Sequence, residues 1–481
     1  MKPLDKEILR LALPSILANI TVPLVGLVDT AVAGHLHSAA GSSAEFIGGI
    51  SVGAMILNVI YWNFAFLRAS TGGLTAQAYG RKAGSPLPAS ECAAILKRAL
   101  GLALGFAALL LVLQWPISRL ALIFRDATPA VAALAIQYVL IRIWAAPATL
   151  SLMSLKGWFI GMQDTRSSMI VDLTVNVVNI AASIILTLGI GSWNGIGFAG
   201  IALGTVIAQW SGFILALAIC RYRYGIAPAH VQNAGETHIN RQKSTVKCAK
   251  AGQNAHEHTH LSDFFHLNAD LFVRSLCMTG IYLGYTIIAS RYGETLLASA
   301  NIMMNLLMIF SYFTDGFAYA GEALTGRFIG ARNTEMLRRS IAGTFRWSFG
   351  VAGFWVLIYA VAGLPMLRMM TDDATVVDAC RQFLPWLVVM PPVGCAAFTW
   401  DGIYIGATVS KKIRNSMLWA LAAFLVVWFA GVLLAPGTIG RQIPDNAAAI
   451  HLLMAAYFAH LAARAIYLTV TSASIRVPEG Q

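Results

Sequence analysis

Long apolar runs constrain the fold of this chain more than any other feature of its sequence. Two of the clearest are LGLALGFAALLLVLQWPI at residues 100–117 and LWALAAFLVVWFAGVLLA at residues 418–435. Each is close to the roughly 20 apolar residues that a helix needs to cross about 30 Å of hydrocarbon. Of the 481 residues 57% are hydrophobic and only 12% are charged. Together these features predict an all-α integral membrane protein.

Hydropathy divides the chain into twelve predicted spans, an even number that places both termini on one side of the membrane. Most of the 34 Lys and Arg residues lie in the two tails and in the even-numbered connections, which predicts a multi-pass protein of the cytoplasmic (inner) membrane with both termini cytoplasmic. This topology explains the net charge of +12 without a nucleic-acid partner. The predicted spans are 9–36, 46–79, 99–118, 130–160, 169–190, 196–220, 271–290, 297–325, 346–366, 383–407, 416–435 and 447–472.

One long polar segment separates the two halves. We therefore expect an N-terminal six-helix bundle at 1–220, a flexible cytoplasmic linker at 221–268 and a C-terminal six-helix bundle at 269–481. The linker contains His256, His258 and His260 at alternate positions. These could ligate zinc on an extended chain, but a solvated linker without metal is the favoured interpretation. No cofactor is expected, and the six scattered cysteines do not suggest a disulfide framework.

The two halves resemble each other, which indicates a duplicated six-helix unit. APATLSLMSLKGWFIG at 146–161 aligns with PPVGCAAFTWDGIYIG at 391–406. The alignment matches Pro147 to Pro392, Gly157 to Gly402 and Gly161 to Gly406. Because six helices return the chain to its starting side, both units have the same orientation. A central cavity between two pseudo-symmetric bundles is the expected result.

The first predicted span contains an acid together with residues that weaken a helix. Asp29 lies in its outer half, and Pro23 and Gly26 precede it. Pro23 cannot donate a backbone hydrogen bond and should kink the helix there. A charge change at Asp29 could then change the shape of the helix, which suggests proton or cation coupling with a hinge at Pro23 and Gly26. The alternative is a permanently paired structural acid.

The fifth predicted span carries a polar stripe on one helical face. Asp172, Asn176, Asn179 and Ser183 stand at i, i+4, i+7 and i+11. Such a stripe should face the bundle interior, where Asp29 is the expected partner. We therefore include the stripe in the predicted coupling site. Structural hydrogen bonding between helices is the alternative, and Asp172 could be solvated near the cytoplasmic end.

A second polar face occurs in the eighth predicted span. Tyr312, Asp315, Tyr319 and Glu322 stand at i, i+3, i+7 and i+10. Acids and aromatic rings on one face suit a lipophilic cation, which gains a counter-charge and a cation–π contact. These residues are therefore predicted to line the substrate cavity, unless arginines neutralise both acids.

Three further charges lie within the spans. Asp401 and Lys156 occupy equivalent repeat positions, so a salt link between them is conceivable, although snorkelling of Lys156 to the cytoplasmic surface is favoured. Arg68 is too deep to reach the surface and should pair with one of the acids. Asp401 and Arg68 are accordingly assigned to the cavity.

Several longer segments resemble the multidrug and toxic compound extrusion (MATE) family, and within it the DinF-like branch. The similarity covers nearly the whole chain. The segments that carry it are LALPSILANITVPLVGLVDTAVAGHL (11–36), FLRASTGGLTAQAYG (66–80), VNVVNI (175–180), DGFAYAGEALTGRFIGARN (315–333) and DGIYIGATVSKKIRNSM (401–417).

The resemblance implies two six-helix bundles around a cavity that opens alternately to each side. It also implies export of organic, often cationic, compounds in exchange for protons or sodium. It assigns cation or proton binding to Asp29, with Asn179 beside it. The family commonly has an aspartate one turn after this asparagine, whereas this chain has Ser183, so Asp29 must act with less help.

The favoured function is therefore a secondary active efflux antiporter, working as a monomer surrounded by membrane lipid. Its expected partners are small organic substrates, cationic or amphipathic, and protons or sodium ions. A flippase for lipid-linked precursors from the same superfamily is the alternative. No H-E-x-x-H pair and no G-x-x-x-x-G-K-[ST] loop occurs, which argues against an enzyme and against direct use of ATP.

Overall fold

The computed structural model describes residues 3–34, 36, 42–81, 90–123, 128–226, 261–434 and 446–477. Within these ranges twelve helical segments are long and apolar enough to span a membrane, which confirms the predicted number. The histidine-containing part of the predicted linker, with His256, His258 and His260, lies outside the described residues.

The described residues of the first half form nine α-helices, because two of the six spans are interrupted and a short helix follows a third span. The span predicted at 46–79 is interrupted at residues 64–65, and that predicted at 130–160 has a 3-10 turn, Ile143–Ala145, before Pro147. The helices are α1 (Pro3–Gly34), α2 (Ser43–Asn63), α3 (Phe66–Arg81), α4 (Ser90–Val112), α5 (Gln114–Arg119), α6 (Pro129–Arg142), α7 (Ala146–Gly161), α8 (Thr165–Leu188) and α9 (Phe198–Tyr224).

The second half forms one continuous helix for each span. Helix α10 begins within the segment predicted as linker, because Phe264, Leu267 and Leu271 are apolar at helical spacing and are buried. The helices are α10 (Leu261–Ser290), α11 (Glu294–Gly330), α12 (Thr334–Met370), α13 (Ala374–Gly406), α14 (Ser410–Leu434) and α15 (Asn446–Val470).

The aligned repeats end in the same local structure. Gln163, just after α7, and Thr408, just after α13, both have a positive φ, at 63° and 55°. The start of the repeat differs, because α7 begins at Ala146 with Pro147 in its first turn whereas α13 continues through Pro391 and Pro392. A proline in the first turn is tolerated because the first N–H groups of a helix have no intrahelical partner.

The two bundles meet along the half of the molecule where α1 begins, which we call the N-terminal side. Helices alternate in direction, so α3, α7, α11 and α13 all end on this side. A Cβ atom at Gly80 would overlap the carbonyl oxygen of Arg327, and one at Gly73 would overlap that of Ile405. Glycine thus allows the backbones of α3, α11 and α13 to approach closely.

Candidate functional site

A cavity of about 340 Å³ lies between the two bundles. Side chains from α2 and α3 line it on one face, and side chains from α10, α11, α13 and α15 line the other. Its charged and aromatic lining residues are Trp62, Arg68, Arg274, Tyr282, Asp315, Tyr319, Glu322, Phe398, Asp401 and Arg464.

The central cavity continues toward the side opposite the N-terminal side. A second cavity of about 380 Å³ lies between α2, α10 and α11, and its lining shares Trp62, Tyr282 and Met308 with the first. Ser51 also lines this second cavity and lies near the start of α2, which is on the side opposite the N-terminal side. The two cavities therefore form a path from the centre of the molecule toward its far side.

Hydrogen bonds between the bundles close the N-terminal side. The amide of Gln77 donates to the carbonyl oxygen of Gly406 and to the hydroxyl of Thr408, both at 3.0 Å. The amide of Gln163 donates to the carbonyl oxygen of Ala323 at 2.8 Å. Access to the central cavity in this conformation is consequently from the far side.

An ion pair between the bundles forms part of the cavity wall. The guanidinium of Arg68 lies 3.0 Å from the Glu322 carboxylate and 4.4 Å from the centre of the Tyr319 ring. Glu322 is fully buried. The prediction that Arg68 pairs with an acid is confirmed, and the partner belongs to the opposite bundle.

Asp401 is neutralised by two arginines of its own bundle. Arg464 donates from Nε to one carboxylate oxygen of Asp401 at 2.9 Å, and both Arg464 and Arg274 contact the other oxygen. Lys156 instead pairs with Asp172 at 2.7 Å, so the conceivable link between Lys156 and Asp401 does not form. Both arginines were missed from sequence, although each is a charge inside a predicted apolar span.

Asp315 is the acid of the α11 face that keeps an accessible carboxylate. It lines the cavity and has no hydrogen bond or ion pair among the described residues, although Arg68 and Arg464 are close enough to act on it electrostatically. Tyr312 is not part of the lining, and its carbonyl oxygen accepts a hydrogen bond from Asn19 at 3.4 Å. The predicted face thus contributes three of its four residues to the cavity.

A separate polar cluster surrounds Asp29 inside the first bundle. Asp29 is 6% exposed, and one of its carboxylate oxygens is buried without a hydrogen-bond partner among the described residues. Ser183 lies beside it, and Arg142 and Tyr138 of α6 are within electrostatic range. Arg142 donates a hydrogen bond to the Tyr138 hydroxyl at 3.0 Å. These α6 residues were not predicted to join the site.

The four residues of the predicted stripe on α8 each have a different neighbour. Asn179 is buried, donates to Thr205 at 3.0 Å and keeps its carbonyl oxygen without a partner among the described residues. Asn176 donates to Thr21 of α1 at 2.6 Å. Asp172 forms the ion pair with Lys156. Ser183 is thus the stripe residue beside Asp29, while Asn176 ties α8 to α1.

Helix α1 is continuous through Pro23 and Gly26. Pro23 is exposed, and a Cβ atom added at Gly26 would meet nothing within 4 Å. Packing therefore leaves space around both residues, and the hinge itself stays a prediction.

In the described residues, twelve membrane-length helices enclose a charged cavity that is closed on one side and open toward the other, which defines the class of this protein as a membrane transporter. The MatE family profile matches residues 14–185 and 271–433. The chain is also 35% identical to DNA damage-inducible protein F of Escherichia coli, over 87% of this chain and 84% of that protein. It therefore belongs to the MatE family of multidrug efflux transporters.

Further similarities agree with this assignment. A probable multidrug resistance protein NorM of Caulobacter vibrioides is 26% identical over 85% of this chain and 79% of that protein. A solved outward-facing multidrug resistance MATE transporter has the same fold, with a TM-score of 0.74, 17% identity and coverage of 98% of this chain and 97% of that one. A crystal structure of MATE in complex with MaD3S has a TM-score of 0.73, 17% identity and the same coverage. These similarities do not favour the flippase alternative.

Proposed function

We propose that this protein exports small organic compounds across the bacterial inner membrane in exchange for protons or sodium ions. The observation that supports this most directly is a central cavity that is closed on one side and open toward the other. In this proposal the N-terminal side is cytoplasmic, the described conformation faces outward, and opening between α3 and α11 gives the cytoplasm access.

Coupling is assigned to Asp29, with Ser183 beside it and Asn179 on the same face of α8. A buried carboxylate oxygen without a hydrogen-bond partner is costly unless the group binds a proton or a cation. The carbonyl oxygen of Asn179 is a second buried acceptor without a partner among the described residues. Asp172 has less support, because its ion pair with Lys156 already satisfies it.

Substrate binding is assigned to the central cavity, where Asp315, Tyr319, Glu322, Asp401 and Arg68 contribute to the lining. Asp29 is not among the lining residues, so ion and substrate bind at different places. Coupling must therefore act through conformation: the ion changes substrate affinity by the same factor as the substrate changes ion affinity. Bending of α1 at Pro23 and Gly26 would transmit the change.

The test is efflux of fluorescent organic compounds from proteoliposomes, with the proton and sodium gradients imposed separately. We expect one gradient to drive efflux and its collapse by an ionophore to stop it. Liposomes without protein are the control. Efflux that persists without any gradient but requires ATP would overturn the proposal.

A further inference from the structure

The two arginines at Asp401 outnumber the acid that they contact directly. Two guanidinium groups, Arg274 and Arg464, share this one carboxylate. The three side chains together carry a net formal charge of +1, and the carboxylate of Asp315 in the same cavity offsets it without contacting either arginine. Arg68 does not contribute to this excess, because Glu322 neutralises it.

The same two arginines have unused hydrogen-bond donors. Nε of Arg274 and Nη1 of Arg464 are buried and have no partner among the described residues. Arg464 is only 1% exposed, so bulk water does not compensate for the missing bond. A buried charged donor without a partner is expensive, which implies that a bound group supplies the acceptor. Both residues line the central cavity, and the Arg274 side chain, at 16% exposure, is the one that a ligand there contacts first.

The features that suggested a cationic substrate are largely satisfied by the protein itself. Arg68 pairs with Glu322 and covers the ring of Tyr319 at 4.4 Å, so an internal guanidinium already occupies the cation site expected from the α11 face. Asp401 is held by two arginines. Asp315 alone among the lining acids has no ion pair in the described chain.

We propose that Arg274 and Arg464 bind an acidic group, a carboxylate or a sulfonate, of the transported compound. The planar guanidinium matches the geometry of such an anion and forms strong charge-assisted hydrogen bonds with it. Met278, Met308 and Phe398 line the same cavity and provide an apolar surface for the rest of the molecule. The inference rests on the proposed function and narrows its substrates to acidic amphipathic compounds.

The size of the cavity agrees with a small ligand. At about 340 Å³ it lies near the lower end of the range of roughly 300–1,000 Å³ that is usual for small-molecule sites. The negative charge of Asp315 opposes a simple anion. Affinity for the anion should therefore increase when this carboxylate is neutralised.

The experiment compares three dansyl compounds that differ in charge. Dansylglycine is an anion, dansylglycinamide is neutral and dansylethylenediamine is a cation. Their dansyl fluorescence reports binding to the purified full-length protein in detergent. We expect wild type to bind dansylglycine about tenfold more tightly than dansylglycinamide, and dansylethylenediamine most weakly, since a hydrogen bond to a charged group is worth roughly this factor or more.

Two variants test the arginines. Arg274→Gln leaves Asp401 paired with Arg464 and should weaken dansylglycine binding about tenfold while leaving dansylglycinamide binding unchanged. Arg464→Lys keeps a positive charge beside Asp401 but removes the planar guanidinium with its paired N–H donors. It should also weaken dansylglycine binding and leave dansylglycinamide binding unchanged. The matched control is Arg414→Gln, which removes an arginine that pairs with Asp270 outside the cavity lining and should not change the preference for the anion.

The outcomes separate the site from the proposed function. The acidic-group site is overturned if wild type binds dansylethylenediamine more tightly than dansylglycine. It is also overturned if Arg274→Gln lowers the affinity for all three compounds equally. Gradient-driven efflux of the cation would in that case still support the exporter. Selective binding of dansylglycine without gradient-driven efflux of any compound retains the site and overturns the proposed function.

Discussion

The carboxylate of Glu322 on α11 lies 3.0 Å from the guanidinium of Arg68 on α3, so one ion pair joins the two bundles at the wall of the central cavity. Glu322 has no exposed surface, whereas the Arg68 side chain is 20% exposed. A Cβ atom at Gly72 would overlap Oε1 of Glu322, so the acid packs directly against the backbone of α3. The pair lies where the open cavity meets the closed N-terminal half.

Loss of either partner should destabilise the protein, and the two losses should differ in size. Arg68→Gln leaves a fully buried carboxylate without its positive partner, which costs about 3–5 kcal/mol. Glu322→Gln leaves a guanidinium that can still reach the cavity, so the cost should be smaller. Thermal unfolding in detergent measures both.

The double variant Arg68→Gln with Glu322→Gln should recover much of the stability that Arg68→Gln loses, because no buried charge is left unpaired. If the losses of stability in the two single variants simply add up in the double variant, Arg68 and Glu322 do not stabilise each other.

Asp29→Asn should abolish gradient-driven efflux while the protein stays folded and still binds substrate. The reason is that the amide cannot take up and release a proton or hold a cation as a carboxylate does. Efflux from proteoliposomes and fluorescence binding to the purified variant are the two measurements.

The control for Asp29 is Asp172→Asn, which removes an acid from the same bundle that is already paired with Lys156. We expect this variant to retain most of the efflux. If Asp29→Asn transports at the wild-type rate, Asp29 is structural and coupling must be sought at Asp172, Asp315, Glu322 or Asp401.

Gly80→Ala should prevent closure of the N-terminal side. The added methyl group would overlap the carbonyl oxygen of Arg327, a main-chain atom that cannot rotate away. We expect efflux to fall at least about tenfold, as misplacements of about 1 Å can cost more than this in a catalytic site.

Gly105→Ala is the matched control, because a Cβ atom at Gly105 would meet nothing within 4 Å. It should transport like wild type. The first measurement is efflux. The second is labelling by a membrane-impermeant reagent of a cysteine introduced at position 408 of a protein that lacks the native cysteines. Unchanged efflux and labelling in Gly80→Ala would contradict the close approach of α3 and α11.

Asp315→Asn should change which compounds are bound without unfolding the protein, since Asp315 has no ion pair to lose among the described residues. Dansylglycine should bind more tightly because a repulsive charge is removed, and dansylethylenediamine should bind more weakly. Fluorescence titration checks both. An equal change for both compounds would indicate that Asp315 acts on the structure of the cavity rather than on its charge.

The membrane makes much of this fold predictable. A helix that crosses hydrocarbon must be long and apolar, so the twelve spans follow from composition and length alone. Interruptions are harder to predict: Pro147 lies at a break before α7, yet its repeat counterpart Pro392 lies inside the continuous helix α13. Local sequence is similar there, and packing determines which backbone forms.

The cavity was predictable in part, for a related reason. A charge inside a membrane needs a partner, so Arg68 was expected to meet an acid. The identity of that acid depends on how the bundles dock, which no local pattern encodes. Arg274 and Arg464 are open to the same argument, because each is a charge inside a predicted apolar span, but the sequence gives no sign that both meet one acid. Asp29 and Ser183 were expected near each other, whereas their neighbours Tyr138 and Arg142 come from a distant helix.

The glycines between α3, α11 and α13 have a consequence for evolution. At Gly73, Gly80 and Gly330 the opposing atoms are carbonyl oxygens, and these are identical in every amino acid. The close contact between the bundles at these glycines therefore tolerates replacement of the residues that supply the carbonyl oxygens. Side chains facing the cavity can therefore change, and with them the range of exported compounds, without disturbing these backbone contacts.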